Sequence, residues 1–213
     1  MKKKSSSTIF SGLEKVYDEF ADIFVASRER FDTKPILEEF LGYLPKNPRI
    51  LDVGCGAGEP VAKFLIENGC LVTGIDISER MLEIAKNLVP NATFQKQNIM
   101  QMSFSENSFE GVVSVYSMFH IPREKHQEVF LKFRQILTKD GMVLLTLATK
   151  EYTGFDEFDG ELEFLDQKLP YSHDNPKVAL KKLTNSGFEI VSDKLITNGR
   201  NDTFLWVIAR NKK

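Results

Sequence analysis

Short apolar runs alternate with helical patterns along most of the chain. Five strands are predicted at residues 50–53, 71–75, 93–95, 111–116 and 142–149. Between them, apolar positions spaced by three and four residues predict helices at 60–68, 79–88 and 123–137. Strands that alternate with helices in this way are typical of a parallel sheet with helical crossovers, so the pattern predicts a doubly wound α/β fold.

The segments that flank this alternation follow other patterns. Two amphipathic helices are predicted ahead of the first strand, one from Thr8 to Arg30 and one capped by Asp32 and running to Leu44. Residues 150–170 are rich in carboxylates and predict neither a strand nor a clean helix. A helix at 176–186 follows, and then two strands at 188–196 and 203–210 whose connecting loop predicts an antiparallel edge hairpin.

A chain of 213 residues fits one domain. We expect a disordered tail at residues 1–7 and a single domain at 8–213, with a helical cap at 8–45. Aromatic side chains interleave with the carboxylates of residues 150–174, and exposed aromatics need burial. This segment is therefore predicted to be a substrate lid.

Composition narrows the classes of partner. The net charge of −2 gives no positive field for nucleic acid or an anionic membrane, so neither partner is expected. No stretch approaches the roughly 20 apolar residues that span a bilayer. Two cysteines make no disulfide framework, so we expect a cytoplasmic protein. Three histidines make no metal cluster, so we expect no metal. We also expect a monomer or a homodimer.

The strongest chemical signal is a glycine-rich turn after the first strand. Glycines at 54, 56 and 58 allow a tight turn in which a ligand can lie against bare main chain. The helix that follows presents N–H groups to the negative end of a ligand. A dinucleotide site requires G-x-G-x-x-G, but counted from Gly54 the last glycine position is Glu59, which breaks that register.

Two further polar residues follow the next two strands. Asp76 closes the second strand, and an ionised carboxylate there can accept hydrogen bonds from the adjacent hydroxyls of a ribose. Asn98 follows the third strand, and its side-chain carbonyl can accept a hydrogen bond. Asp76 is therefore predicted to contact the same ligand as the glycine turn.

These features together resemble class I S-adenosylmethionine-dependent methyltransferases of the small-molecule type. Asp52, one apolar residue and then G-x-G-x-G resemble the first motif of that family, and Asp76 stands where the family binds ribose. The family usually has an aspartate at the position of Asn98, so we expect a weaker contact with adenine there. The resemblance is close over residues 50–147 and loose in the flanks.

The resemblance implies a Rossmann-like sheet of seven mostly parallel strands with an antiparallel edge hairpin and helices on both faces. It implies S-adenosylmethionine as cofactor and a small-molecule acceptor that is methylated at O, N or S. The cofactor-binding residues implied are Tyr17, Asp52, Gly54, Cys55, Gly56, Asp76, Ile77, Met81, Asn98, Ile99 and Ser117. Tyr116, His120 and His173 are candidates for substrate contact, and His120 is the candidate general base.

The fourth strand limits the acceptor. Family members that methylate exocyclic amino groups of bases, or glutamine, carry an Asn/Asp–Pro–Pro–aromatic tetrapeptide there, whereas this chain has Tyr116–Ser117–Met118–Phe119. No cysteine follows this strand for the covalent route to cytosine carbon-5. Two alternatives stay open, a nucleotide-dependent oxidoreductase and a protein that binds the cofactor without transferring its methyl group.

Overall fold

The computed structural model describes residues 12–27, 33–199 and 201–213. The helices lie at Leu13–Ser27 (α1), Lys34–Leu41 (α2), Val61–Glu67 (α3), Glu79–Leu88 (α4), His126–Ile136 (α5), Lys150–Thr153 (α6) and Pro176–Asn185 (α7). The strands lie at Arg49–Val53 (β1), Leu71–Asp76 (β2), Thr93–Lys96 (β3), Phe109–Ser114 (β4), Leu137–Leu147 (β5), Phe158–Phe164 (β6), Gln167–His173 (β7), Phe188–Thr197 (β8) and Thr203–Asn211 (β9). The predicted tail at residues 1–7 and the predicted cap Asp32 lie outside the described residues.

Seven strands form one sheet in the order β3-β2-β1-β4-β5-β9-β8. The neighbours from β3 to β5 are parallel, and β9 pairs antiparallel with both β5 and β8. The strand order reverses between β1 and β4, which is where a doubly wound sheet opens a crevice at the carboxyl ends of its strands. The predicted fold, with its antiparallel edge hairpin, is confirmed.

Alternating side chains of the sheet enter two apolar layers. On β9, Phe204, Trp206 and Ile208 pack on the face that carries α2, α3 and most of α4. Leu205 and Val207, between them, pack on the face that carries α5 and α7. Successive side chains of a strand point to opposite faces, so a strand covered on both faces is apolar throughout.

The carboxylate-rich segment is the main correction to the sequence analysis. Residues 150–170 were expected to form neither a strand nor a clean helix, but β6 pairs with β7 from Phe158↔His173 to Phe164↔Gln167 in a separate two-stranded sheet. The odd residues of β6 are exposed carboxylates, and the even residues face inward. The segment is thus an amphipathic hairpin, since its period of two separates the charges from the aromatic rings.

Arg123 holds this hairpin against the main sheet. Its side chain pairs with Glu157 and, at 2.8 Å, with Asp159, while its backbone N–H donates to Ser172 Oγ at 2.7 Å. Ser172 Oγ in turn donates to Asp159 at 2.5 Å. The carboxylates of the segment therefore stabilise the hairpin through ion pairs and hydrogen bonds, and they also keep its outer face polar.

Gly111 on β4 gives a test of how tightly the layer beneath α2 is packed. A Cβ at this position would lie 2.6 Å from Ile50 Cδ1 and 3.0 Å from the ring of Phe40, both of which are fully buried. We expect Gly111→Ala to lower the free energy of unfolding by about 1–3 kcal/mol, measured by urea denaturation.

Gly199→Ala is the matched control for this substitution. Nothing lies within 4 Å of a Cβ at Gly199, so the free energy of unfolding should change little. Equal stability of the two variants would contradict close packing beneath α2.

Candidate functional site

The turn after β1 is shaped by a close approach of main chain to its neighbours. The N–H groups of Gly54 and Cys55 both donate to the carbonyl of Ile75, at 2.8 and 3.0 Å. Gly54 has a φ of +71°, and a Cβ there would lie 2.4 Å from Ser117 Cβ. Only glycine fits this position, because any side chain would both strain the backbone and collide with Ser117.

Gly56 faces open space instead of a neighbour. Its φ is +52°, and no atom of the described residues other than its chain neighbours lies within 4 Å of the place where a Cβ would stand. The main chain of the turn therefore forms an uncovered cradle. A ligand with hydrogen-bonding groups can approach this backbone to van der Waals contact.

Asp76, at the end of β2, is bound to the same turn. One carboxylate oxygen accepts from Gly56 N at 2.9 Å, and the other accepts from Ser78 N at 2.9 Å. Burial raises the pKa of this carboxyl, and the hydrogen bonds from Ser78, Gly56 and Ile77 oppose that rise. Each carboxylate oxygen keeps further acceptor capacity for a ligand hydroxyl.

A cavity of about 520 Å³ lies at the carboxyl ends of β1, β2 and β4. Most of the predicted site residues line it: Tyr17, Gly54, Cys55, Gly56, Asp76, Ile77, Met81, Asn98, Ile99, Tyr116, Ser117 and His120. Asp52 is buried beneath the turn and does not belong to the lining. The geometry therefore brings together residues from four strand ends and from α1.

The side chain of Asn98 is partly engaged in a hydrogen bond within its own loop. Its Oδ1 accepts from Met100 N at 2.8 Å, as short polar side chains commonly do in turns. Gln97, Ile99 and Met100 line the cavity beside it. The predicted adenine contact of Asn98 stays a prediction, with part of its acceptor capacity already engaged.

The end of β4 passes directly beneath the cavity. Ser117 Oγ donates to the carbonyl of Val53 at 2.8 Å and contacts Ser114 Oγ at 2.5 Å. Tyr116 has a φ of +58°, and its N–H donates to Thr146 Oγ1 at 2.5 Å. This left-handed residue is costly for a tyrosine, and such outliers persist where the surrounding structure holds them.

His120 is neutral and hydrogen-bonded at both ring nitrogens. Nδ1 lies 2.7 Å from the carbonyl of Pro170, which can only accept, so Nδ1 carries the proton. Nε2 then accepts from the hydroxyl of Tyr17 at 2.8 Å. Burial lowers the pKa of His120 to about 4, and burial raises the pKa of Tyr17, so both groups are uncharged at neutral pH.

His173 does not reach the cavity, contrary to its prediction as a substrate contact. It is 1% exposed, its Nε2 lies 2.7 Å from Thr153 Oγ1, and its Nδ1 lies 3.0 Å from the carbonyl of Asp174. The ring therefore links α6 to the end of β7. Nothing in the local sequence shows that Thr153 is its partner.

Helix α1 forms one wall of the cavity and is held by polar contacts. Asp18 accepts from Ser78 Oγ at 2.6 Å, which places it at the start of α4, where Ser78 also caps the helix through Met81 N. Arg80 pairs with Asp22 at 2.8 Å. These contacts bring Tyr17 over the turn after β1.

Several lining residues were not predicted as site residues. They come from α1, the segment after β4, α6, the hairpin β6–β7, the β8–β9 connection and β9: Phe24, Phe119, Tyr152, Phe164, Leu165, Tyr171, Asn198, Asp202 and Phe204. The aromatic content of residues 150–174 indicated a lid, but it did not indicate which rings turn inward. Asp202 and Phe204 gave no signal, because they were interpreted only as parts of an edge hairpin.

No metal centre is found in the part of the chain that the structure describes. No group of three or more His, Cys, Asp or Glu is arranged there to hold an ion. Within the same residues, no helix has the length and apolar character needed to cross a bilayer. The expectation of a metal-free site stays a prediction.

Comparisons with known proteins show what the central segment of the chain is similar to. Residues 50–141 match the family model described as a methyltransferase domain. The sterol 24-C-methyltransferase of Saccharomyces cerevisiae is 30% identical over 187 residues, which cover 79% of this chain and 47% of that protein. The 27-O-demethylrifamycin SV methyltransferase of Amycolatopsis mediterranei is 31% identical over 121 residues, which cover 53% and 44%. The chain spans about half the length of these curated relatives.

Solved structures share the whole fold. The 1,6-didemethyltoxoflavin-N1-methyltransferase of Burkholderia thailandensis, solved with 1,6-didemethyltoxoflavin and S-adenosylhomocysteine bound, has a TM-score of 0.74 at 16% identity. That match covers 98% of this chain and 89% of the other. The likeness therefore extends to the flanks, although at this identity it concerns the fold alone.

The buried histidines predict how stability depends on pH. Burial lowers the pKa of His120 and of His126 to about 4, from about 6.5 in an unfolded chain. Between these pH values the unfolded chain binds more protons than the folded one. The free energy of unfolding should therefore fall as the pH falls from about 6.5 to about 4, as measured by urea denaturation at each pH.

His126→Gln is the matched variant for this prediction. The His126 Nε2 donates to the carbonyls of Met118 and Ile121 at 3.1 and 3.0 Å, and a glutamine amide retains a donor without titrating. The fall in the free energy of unfolding between about pH 6.5 and about pH 4 should be smaller in the variant, because one buried histidine with a lowered pKa has been removed. Asp76, with its raised carboxyl pKa, acts in the opposite direction in both proteins, so the comparison isolates His126. An unchanged slope would contradict the prediction.

Proposed function

We propose that this chain is a class I S-adenosylmethionine-dependent methyltransferase, an enzyme that transfers the methyl group of S-adenosylmethionine to an O, N or S atom of a small molecule. The observation that carries the proposal is the uncovered main chain at Gly56 beside the Asp76 carboxylate, in one cavity. An amino-acid tail fits the first feature and a ribose fits the second.

The residues present suit this cofactor in chemistry and in space. Gly56 leaves open room over the turn, and Asp76 offers a buried carboxylate that can accept from two adjacent hydroxyls. Ile77, Met81 and Ile99 supply apolar walls for a purine. Tyr17, Cys55, Asn98 and Ser117 complete the proposed cofactor site, and Asp52 supports the turn from below.

Binding and orientation are the main tasks of this chain in the reaction. The cofactor, when bound, supplies a methyl group on a positively charged sulfur, which is already activated for displacement. Tyr116 lies at the end of β4 and is proposed to orient an acceptor toward the cofactor half of the cavity. Orientation of this kind can contribute roughly 7–11 kcal/mol to lowering a barrier.

Tyr17 and His120 form the proposed route for a proton when the acceptor must lose one. The lone pair of His120 Nε2 accepts from the Tyr17 hydroxyl. A proton that passes from the acceptor to the Tyr17 oxygen lets the tyrosine's own proton move to Nε2. His120 then acts through Tyr17, and its Nδ1–H bond to Pro170 keeps the ring in the required orientation.

The flanks are proposed to close the acceptor side. Helix α1 and the hairpin β6–β7 both line the cavity, through Tyr17 and Phe24 on one side and Phe164 and Tyr171 on the other. We assign residues 8–45 the role of a cap and residues 150–174 that of a substrate lid. Closure of such segments excludes water from a reacting centre.

The family match favours methyl transfer over the two alternatives. An oxidoreductase would need the glycine register that Glu59 breaks. A protein that binds the cofactor without transferring its methyl group would incorporate no label from methyl-labelled cofactor into a metabolite extract. With a net charge of −2 and two buried thiols, we further propose a cytoplasmic monomer or homodimer that does not act on nucleic acid.

Asp76→Asn tests the cofactor site. The substitution removes the charge but keeps an oxygen for the turn, so affinity for S-adenosylhomocysteine should fall about tenfold or more in calorimetry. Asp193→Asn, at an exposed carboxylate of β8, should bind as the unchanged protein does. Unchanged affinity of Asp76→Asn, in a protein that unfolds at the same urea concentration, would refute the ribose assignment.

Tyr17→Phe tests the proton route. For an acceptor that loses a proton, the initial rate of methyl incorporation into a metabolite extract should fall about 100-fold or more, because general base catalysis contributes about that much. His120→Gln should show a similar loss, whereas Tyr43→Phe, at an exposed residue outside the cavity, should show none. Wild-type rates for Tyr17→Phe would exclude the route for that acceptor.

A further inference from the structure

The acceptor side of the cavity ends in a cluster of aromatic rings. We define the aromatic wall as Tyr116, Phe119, Tyr152, Tyr171 and Phe204. Phe119 stacks on Tyr171 with 5.0 Å between ring centroids and on Phe204 with 5.6 Å. Tyr152 packs on Phe204 at 4.6 Å, and Tyr116 meets the edge of the same ring at 5.1 Å. These contacts hold the rings as one surface that lines the cavity.

The wall has few polar atoms to offer. The Tyr152 hydroxyl donates to the Tyr171 hydroxyl at 3.2 Å. The peptide N–H of Tyr116 is engaged with Thr146. A ligand seated here therefore meets mostly ring surface, which favours a flat or bulky apolar group and attracts cations to the ring faces.

One carboxylate stands beside the wall. Asp202 is half-buried in the connection between β8 and β9 and lines the cavity two residues before Phe204. Its backbone carbonyl accepts from Asn198 N at 2.9 Å, and its backbone N–H donates to Asn198 Oδ1 at 3.0 Å. These bonds fix the turn, so the side chain of Asp202 is presented from a constrained backbone.

The charged residues that line the cavity are acidic in the part of the chain that the structure describes, and one of them, Glu14, is paired with Lys96 at 2.8 Å. The charged lining residues are Glu14, Asp76 and Asp202, and no lysine or arginine lines the cavity within the residues that the structure describes. Asp202 also contributes, after burial and the neighbouring tyrosines, to the raised pKa of Tyr171, which indicates that its charge reaches the wall. A carboxylate or phosphate on the acceptor would meet like charge here, and no lysine or arginine among the described lining residues would pair with it.

We propose that the methyl acceptor is a ring-bearing amine, whose ammonium group pairs with Asp202 while its apolar part lies on the aromatic wall. This inference rests on the proposed function and adds a substrate class to it. Asp202 then selects for a cation, and the wall selects for ring surface. The ammonium group serves as an anchor, and the proposal concerns recognition of the acceptor.

The test uses probes that share a ring and a two-carbon chain but differ in charge. Phenethylamine, 2-phenylethanol and 3-phenylpropionate are titrated calorimetrically into the full chain saturated with S-adenosylhomocysteine. We expect the amine to bind about tenfold more tightly than the alcohol, as one charge-assisted hydrogen bond allows, and the carboxylate to bind most weakly. Butylamine, which lacks the ring, should bind more weakly than phenethylamine.

Asp202→Asn isolates the carboxylate. It should remove the advantage of the amine over the alcohol and leave the affinity for the alcohol and for S-adenosylhomocysteine unchanged. Asp193→Asn is the matched control at an exposed carboxylate and should keep the full advantage. Arg200, which lies outside the described residues, is tested by Arg200→Gln, which should also preserve the preference for the amine.

The outcomes separate this inference from the proposed function. Failure of the chain to bind S-adenosylhomocysteine would overturn the proposed function itself. With that binding intact, a preference for the carboxylate, an unchanged preference in Asp202→Asn, or no binding of the amine in the millimolar range overturns the substrate class alone.

Discussion

The glycine turn and the Asp76 carboxylate hold each other in place, and the rest of the site depends on this contact. The turn can approach a ligand because Gly54 and Gly56 have left-handed backbone conformations, and it keeps that shape because Gly56 N donates to Asp76. The carboxylate tolerates burial because backbone N–H groups solvate it in place of water. One hydrogen bond thus joins the uncovered main chain of one strand end to the buried charge of the next.

The parts of the fold that could be predicted from the sequence are those determined by local pattern. Apolar runs give β1, β2 and β4 because central strands of a parallel sheet are covered on both faces. Ser78 ahead of α4 gives a cap that the structure contains. The hairpin β6–β7 was missed because its carboxylates suggest a loop until the inward residues are separated from the outward ones.

The residues of the candidate site divide in the same way, into those that the sequence pattern predicts and those that depend on the folded structure. Gly54, Gly56 and Asp76 follow from spacing, since strand ends of a parallel sheet meet at one edge. His120 could be named from the sequence, but its tautomer and its bond to Tyr17 arise from contacts more than 45 positions distant, at Pro170 and Tyr17, and its low pKa arises from burial in the folded chain. His173 shows the same limit, because its burial against Thr153 is a property of the folded hairpin.

The two ends of the cavity are built from different parts of the chain. The turn, Asp76 and Asn98 lie within residues 50–141, whereas Phe24, Tyr171 and Asp202 come from α1, β7 and the last connection. The proposed cofactor contacts thus lie mostly in the central segment, whereas the proposed acceptor side draws on the flanks and also on Tyr116 and Phe119 of the central segment. Substitutions in the flanks can therefore reshape one end of the cavity without touching the glycine turn or Asp76 at the other end.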